Sequence, residues 1–216
     1  MLEELLNGNI EKKTITQIYG PPGVGKTNIC IISMLKAIEN GKNVVYIDTE
    51  GSLSIERIKQ LSGKDCDELL KNIIIYEPSS FEEQSEALEK IFLLENVGLI
   101  IIDGIVSLYR LELCDKINEN TKLNRMLGKQ ISNLLKVSRQ KNSGILITNQ
   151  VKDSINGIEP AGGRLLEYWS KSIIKIEKSE SIRKLTLEKH RHAKEGENLR
   201  FKILQNGLEI INKSYQ

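Results

Sequence analysis

Gly20-Pro-Pro-Gly-Val-Gly-Lys-Thr27 satisfies the GxxxxGK[ST] pattern in full, and no other stretch of the chain restricts its fold so narrowly. At average residue usage such a match arises by chance about once in a hundred chains of this length. The pattern works only between a strand and a helix, because the strand aims the loop and the helix amino terminus adds positive potential at the phosphates. Both flanks are present. Ile15–Tyr19 reads as a short strand, and Lys26–Glu39 carries Ile29, Ile32, Leu35 and Ile38 at helical spacing before a stop at Gly41. Gly20, Pro21, Pro22, Gly23, Val24 and Gly25 would then offer backbone N–H groups to phosphates. Lys26 would reach the β and γ phosphates, and Thr27 would place its hydroxyl on magnesium. ATP and Mg2+ are the expected ligands.

The remaining chain alternates strand-like and helix-like segments, which predicts an α/β fold with a central, mostly parallel sheet and helices on both faces. Asn43–Asp48, Ile73–Tyr76, Gly98–Asp103 and Gly144–Thr148 read as strands. Ser54–Leu61 reads as a short helix. Ser80 and Glu83 form a capping-box pattern for a helix to about Glu95, and Leu123, Leu127, Ile131, Leu134 and Leu135 mark a long one. Val151–Ser170, with Gly157, Pro160, Gly162 and Gly163, reads as a loop. Short strands at Ser172–Glu177, Arg183–Lys189, Leu199–Gln205 and Leu208–Ile211 follow at hairpin spacing, and predict an antiparallel extension of the sheet. No repeat or low-complexity linker divides the 216 residues, so one domain over 1–216 is expected.

Three polar positions fall at the carboxyl ends of predicted strands, beside the crevice where ligands of open α/β sheets bind. Asp103 closes an apolar run and could orient magnesium, although many strands end in Asp at a turn. Glu50, in Asp48-Thr-Glu-Gly51, could polarise a water for attack on the γ-phosphate; the other reading is a cap cluster for the helix that follows. Gln150 could bond the γ-phosphate or the water without adding charge, or could simply begin a loop.

Composition excludes more than it assigns. With 31 Lys+Arg against 29 Asp+Glu the net charge is only +2, so nucleic-acid binding must be argued from local clusters. The run Leu99–Ile102 is far too short to span a bilayer and Met1 leads into Leu-Glu-Glu-Leu-Leu, so a cytoplasmic protein without membrane contact is expected. Cys30, Cys66 and Cys114 are widely spaced, which suits a reducing compartment. His190 and His192 alternate along a predicted strand, too few for a metal site.

Together these motifs resemble the RecA/RadA recombinase superfamily. The resemblance rests on Ile15-Thr-Gln-Ile-Tyr-Gly20, Tyr46-Ile-Asp-Thr-Glu-Gly51 with Glu56-Arg57-Ile58, Ile101-Ile-Asp103, Leu108-Tyr109-Arg110, Ile147-Thr-Asn-Gln-Val151 and Gly162-Gly163, and spans nearly the whole chain. Within the superfamily the chain is most similar to the short archaeal paralogues, and Lys189-His-Arg-His192 supports that placement. The resemblance implies a catalytic role for Glu50, a γ-phosphate-sensing role for Gln150 and a place near the adenine for Arg57. It implies that Tyr109 and Arg110 begin a first DNA-binding loop and that Val151–Ser170 forms a second.

Lys152, Arg164, Lys189 and Arg191, with Arg110, could add phosphate contacts, although a charge run is more often a solvated face. The N-terminal helical DNA-binding domain and Phe-x-x-Ala motif of larger members have no counterpart here. The expected role is therefore an ATP- and DNA-binding mediator in homologous recombination and repair, with weak ATP hydrolysis and no strand exchange of its own. Its expected partners are single-stranded DNA, a larger RadA-type recombinase or other recombination proteins, and further copies of itself. A KaiC-like regulatory ATPase working through protein contacts is the alternative.

Overall fold

The computed structural model describes residues 2–6, 9–63, 66–154 and 157–214. Its centre is β1 (Ile15–Tyr19), flanked on one side by β5 (Gly144–Asn149), β4 (Val97–Asp103), β2 (Asn43–Asp48) and β3 (Ile73–Tyr76). These strands run parallel, with Tyr19 opposite Asn149 and Asp48 opposite Asp103. On its other side β1 pairs in parallel with β8 (Ser170–Ser179). From there β9 (Ile182–Lys189), β10 (Asn198–Leu204) and β11 (Gly207–Ser214) extend the sheet antiparallel to nine strands. The predicted architecture, with its antiparallel carboxyl-terminal strands, is the one observed.

A strand buried on both faces has no need to alternate apolar and polar residues, and β4 shows this: from Leu99 to Ile102 every residue is apolar and at most 4% exposed. Successive side chains still point to opposite faces. Val44 and Tyr46 face one apolar cluster with α1 (Leu2–Leu6), α2 (Lys26–Glu39) and α3 (Ile55–Ser62). The short α4 (Cys66–Leu70) adds Leu69 to that cluster. Val45 and Ile47 face the other, with α5 (Phe81–Lys90), α6 (Ser107–Leu111), α7 (Ile117–Lys141) and α8 (Gly163–Trp169). The Leu123, Leu127, Ile131, Leu134 and Leu135 stripe of α7 is buried there as its spacing required.

Three local readings need correction. The helix begun at Ser80 ends at Lys90 rather than near Glu95, because Ile91–Leu93 tighten into a 3-10 turn. Ser80 Oγ accepts from Glu83 N at 3.1 Å, and the Glu83 carboxylate reaches back to Ser79 N at 2.7 Å and to the Ser80 backbone, as a capping box requires. Val151–Ser170 is no plain loop: β6 (Val151–Ser154) and β7 (Gly157–Pro160) pair antiparallel, and α8 follows. Thirdly, β9 stops at Lys189. His190 Nδ1 accepts from His192 N at 3.1 Å and Ala193 N at 2.8 Å, which folds the histidines into a turn instead of along a strand.

Among the described residues no helix is long and apolar enough to cross a membrane, and no cluster of three metal-ligating side chains forms.

Candidate functional site: a phosphate cradle at the carboxyl edge of the sheet

The residues after β1, β2, β4 and β5 meet at one edge of the sheet, where the strand order turns about β1. The loop after β1 is built so that only glycine suits its end. Gly25 has φ +105° and caps α2 from the left-handed region. A Cβ there would be strained by that angle, and would also stand 2.5 Å from Ile203 Cδ1 of β10, whose terminal methyl would have to swing aside. This is a loop whose amides can close on an anion, and the first turn of α2 holds no acidic residue to compete.

Lys26 is 7% exposed, and its Nζ donates to the carbonyls of Gly20 and Pro21, each at 2.9 Å, and to Gln150 Oε1 at 3.4 Å. Among the described residues no carboxylate touches the ammonium directly. Burial pushes its pKa down from the ordinary lysine value, and Glu50 and Asp103 pull it back up from a distance. A buried cation held only by neutral oxygens is incomplete without an anion, and a phosphate fits that deficit.

Asp103, 1% exposed, is the centre of a hydroxyl shell. Its Oδ2 accepts from Thr27 Oγ1 at 2.7 Å, Tyr46 Oη at 2.9 Å and Ser52 Oγ at 3.0 Å, while Oδ1 accepts from Thr148 Oγ1. Thr27 and Ser52 hydroxyls lie 3.1 Å apart. One carboxylate and two hydroxyls on adjacent elements are hard oxygen donors, the class that suits magnesium. Thr27 and Asp103 were legible as candidates; Tyr46, Ser52 and Thr148 were not singled out. Each stands within a few residues of the carboxyl end of β2 or β5, and Tyr46 and Thr148 lie inside the motifs that carry the family resemblance.

Glu50 stands in the turn after β2. Asp48 shapes that turn by accepting from Glu50 N at 3.1 Å and Leu53 N at 2.8 Å. The helix cap is Ser54, whose Oγ accepts from Arg57 N, so capping does not account for Glu50. Gln150 Nε2 donates to both oxygens of Glu50, at 3.2 and 3.3 Å, while its own Oε1 faces Lys26. Gln150 therefore bridges the lysine and the carboxylate in one chain of contacts.

The other candidates lie differently. Arg57 is committed: Nε donates to Asn28 Oδ1 at 2.7 Å, Nη1 to Gln205 O at 2.7 Å and Nη2 to Leu204 O at 3.0 Å. It ties α3 to the β10–β11 turn beside the loop. Tyr109 is 8% exposed, packs edge-on against Phe81 and donates to Asn124, so its ring offers no face for a base. The residue expected to begin a first DNA-binding loop is thus packed in the core. Arg110 and Arg164 are exposed, on α6 and α8. Lys152 pairs with Glu159 at 3.6 Å across the β6–β7 hairpin, Lys189 donates to Glu167 O and Arg191 pairs with Glu11 at 3.1 Å. Glu11 precedes β1, so Arg191 sits at the edge opposite the cradle. The six residues do not form one patch.

Residues 1–210 match the family model described as Rad51. The chain is 93% identical, over the full length of both, to the DNA repair and recombination protein RadB of Methanococcus maripaludis strain C7. It is 54% identical to the protein of that name from Methanocaldococcus jannaschii, over 98% of this chain and all of the relative. A crystal structure of the RadB recombinase matches with a TM-score of 0.83 at 31% identity, covering 98% of this chain and 96% of the other.

Proposed function

The chain belongs to the Rad51 family, and from that premise we propose that it is an ATP- and DNA-binding protein of homologous recombination and repair that regulates a larger recombinase. One observation carries the nucleotide part: among the described residues, the buried Lys26 ammonium bonds only neutral oxygens at the mouth of a glycine loop. A triphosphate would lie along residues 20–27 with its β and γ oxygens on Lys26. Thr27 and Asp103 would hold magnesium, which when bound spreads the negative charge of the phosphate oxygens. Glu50 would take a proton from the attacking water as the new O–P bond forms and the bond to the β-phosphate breaks. Gln150 would orient that water. With Arg57 occupied by the β10–β11 turn and Glu50 exposed, turnover in an isolated subunit is slow.

Charge on Lys26 sets a pH dependence. Its pKa is lowered in the free protein, and a triphosphate takes the protonated form. Affinity for ATP is therefore full below that lowered pKa and declines as pH rises through it, earlier than a surface lysine would give. A calorimetric titration from about pH 7 to about pH 10 checks this; a flat profile removes the ammonium from the contact.

DNA binding rests on family membership and on Arg110 and Arg164, which are exposed on α6 and α8. The engaged state of Lys152, Lys189 and Arg191 favours a second reading, a nucleotide-bound switch that works through protein contacts. Salt separates the two. With two to four phosphate contacts, log affinity for single-stranded DNA falls against log salt with a slope of about −1.5 to −3. A slope of zero, or no binding at low salt, selects the protein-contact reading.

A further inference from the structure

Gln150 is not the nearest donor to Glu50. Ser107, the first residue of α6, donates from Oγ to Glu50 Oε1 at 2.7 Å, closer than either contact from Gln150. The approach depends on Gly104, which follows Asp103 with φ +92°. A Cβ on Gly104 would stand 2.6 Å from Ser107 Oγ and 2.9 Å from Glu50 Cγ, so glycine alone leaves room for the hydroxyl and the carboxylate to meet.

The two donors differ in what else holds them. Gln150 is shared, because its Oε1 accepts from Lys26, the group that a phosphate would recruit. Ser107 is fixed from the protein side. Its N–H bonds Gly104 O at 2.9 Å, Gly104 N donates to Thr148 Oγ1 at 2.8 Å, and Thr49 Oγ1 donates to the Asp103 and Gly104 carbonyls at 2.8 Å each. None of these contacts involves the phosphate loop. An exposed glutamate left to itself samples several rotamers, and a misplacement of about 1 Å can cost up to about a hundredfold in rate.

We propose that Ser107 is a positioning residue, the nucleotide-independent anchor that holds the Glu50 carboxylate where water is activated. The inference rests on the role given to Glu50 above.

Ser107→Ala should lower single-turnover ATP hydrolysis about tenfold and leave ATP affinity within about twofold. Ser107→Thr, which keeps the hydroxyl, should recover at least half of the loss. In a Glu50→Asp background, where the shorter side chain does not reach Ser107, the same alanine change should have no further effect. A merely structural role would instead act equally in both backgrounds and escape rescue by threonine. Turnover in Ser107→Ala equal to wild type, or an equal loss in the Glu50→Asp background, overturns the proposal. If the wild type binds ATP yet shows no hydrolysis in a single turnover, the reading of Glu50 fails and Ser107 loses its role with it.

Discussion

Lys26→Ala is expected to weaken ATP binding by about a hundredfold or more while leaving the fold intact. The ammonium would make charge-assisted contacts to at least two phosphate oxygens, each worth about 1.5–3 kcal/mol, and about 1.4 kcal/mol is a factor of ten. The fold should survive for a separate reason. In the free protein Lys26 is a buried charge whose hydrogen-bond partners among the described residues are the Gly20 and Pro21 carbonyls and the Gln150 amide oxygen. Deleting it removes a desolvation cost along with three hydrogen bonds, the one to Gln150 being long at 3.4 Å, and the two changes largely offset. Fluorescent-nucleotide titration combined with thermal melting tests both halves. Undiminished affinity would sink the cradle assignment, and a collapse of the melting temperature would show that Lys26 is structural.

Glu50→Gln is expected to produce the opposite dissociation: ATP affinity within about threefold of wild type, with turnover lower by about a hundredfold or more. Glutamine keeps the shape of the side chain and an oxygen for Ser107 and Gln150 to donate to, so the local contacts persist. What disappears is the negative charge and the ability to accept a proton from water. The group most affected by that lost charge is Lys26, whose ammonium Glu50 helps to retain. The size of the fall reads directly on whether Glu50 touches the reacting water. Equal single-turnover rates in the variant and the wild type would remove it from the chemistry.

Much of the scaffold was legible because its signals are local. The β1–loop–α2 unit follows from eight consecutive residues, and β4 from an apolar run that only a doubly covered strand explains. Positions of Asp103, Glu50 and Gln150 followed from one rule, that polar residues at the carboxyl ends of parallel strands face the crevice. What was not legible depends on contacts distant in sequence. Gly157 and Pro160 read as breakers, yet they bound a strand of a two-stranded ribbon whose base is closed by Ala161 N donating to Gln150 O. Tyr46 looked like one more apolar-run residue until β4 placed Asp103 beneath its hydroxyl. Tyr109 in an exposed-looking Tyr-Arg pair is drawn inward by Phe81, from the start of α5. In each case the deciding partner lies on another element, and periodicity carries no information about it.

The nearness of Ile203 to the space beside Gly25, with the grip of Arg57 on the Leu204 and Gln205 carbonyls, sets an order of events during synthesis. Residues 20–25 are translated well before residues 203–205, which wall them in. A growing chain thus carries a glycine-rich loop without its backing until the β10–β11 hairpin is made, and closing so distant a pairing is slow. Any ligand that binds only the finished loop then stabilises two segments far apart in the order of translation, by mass action.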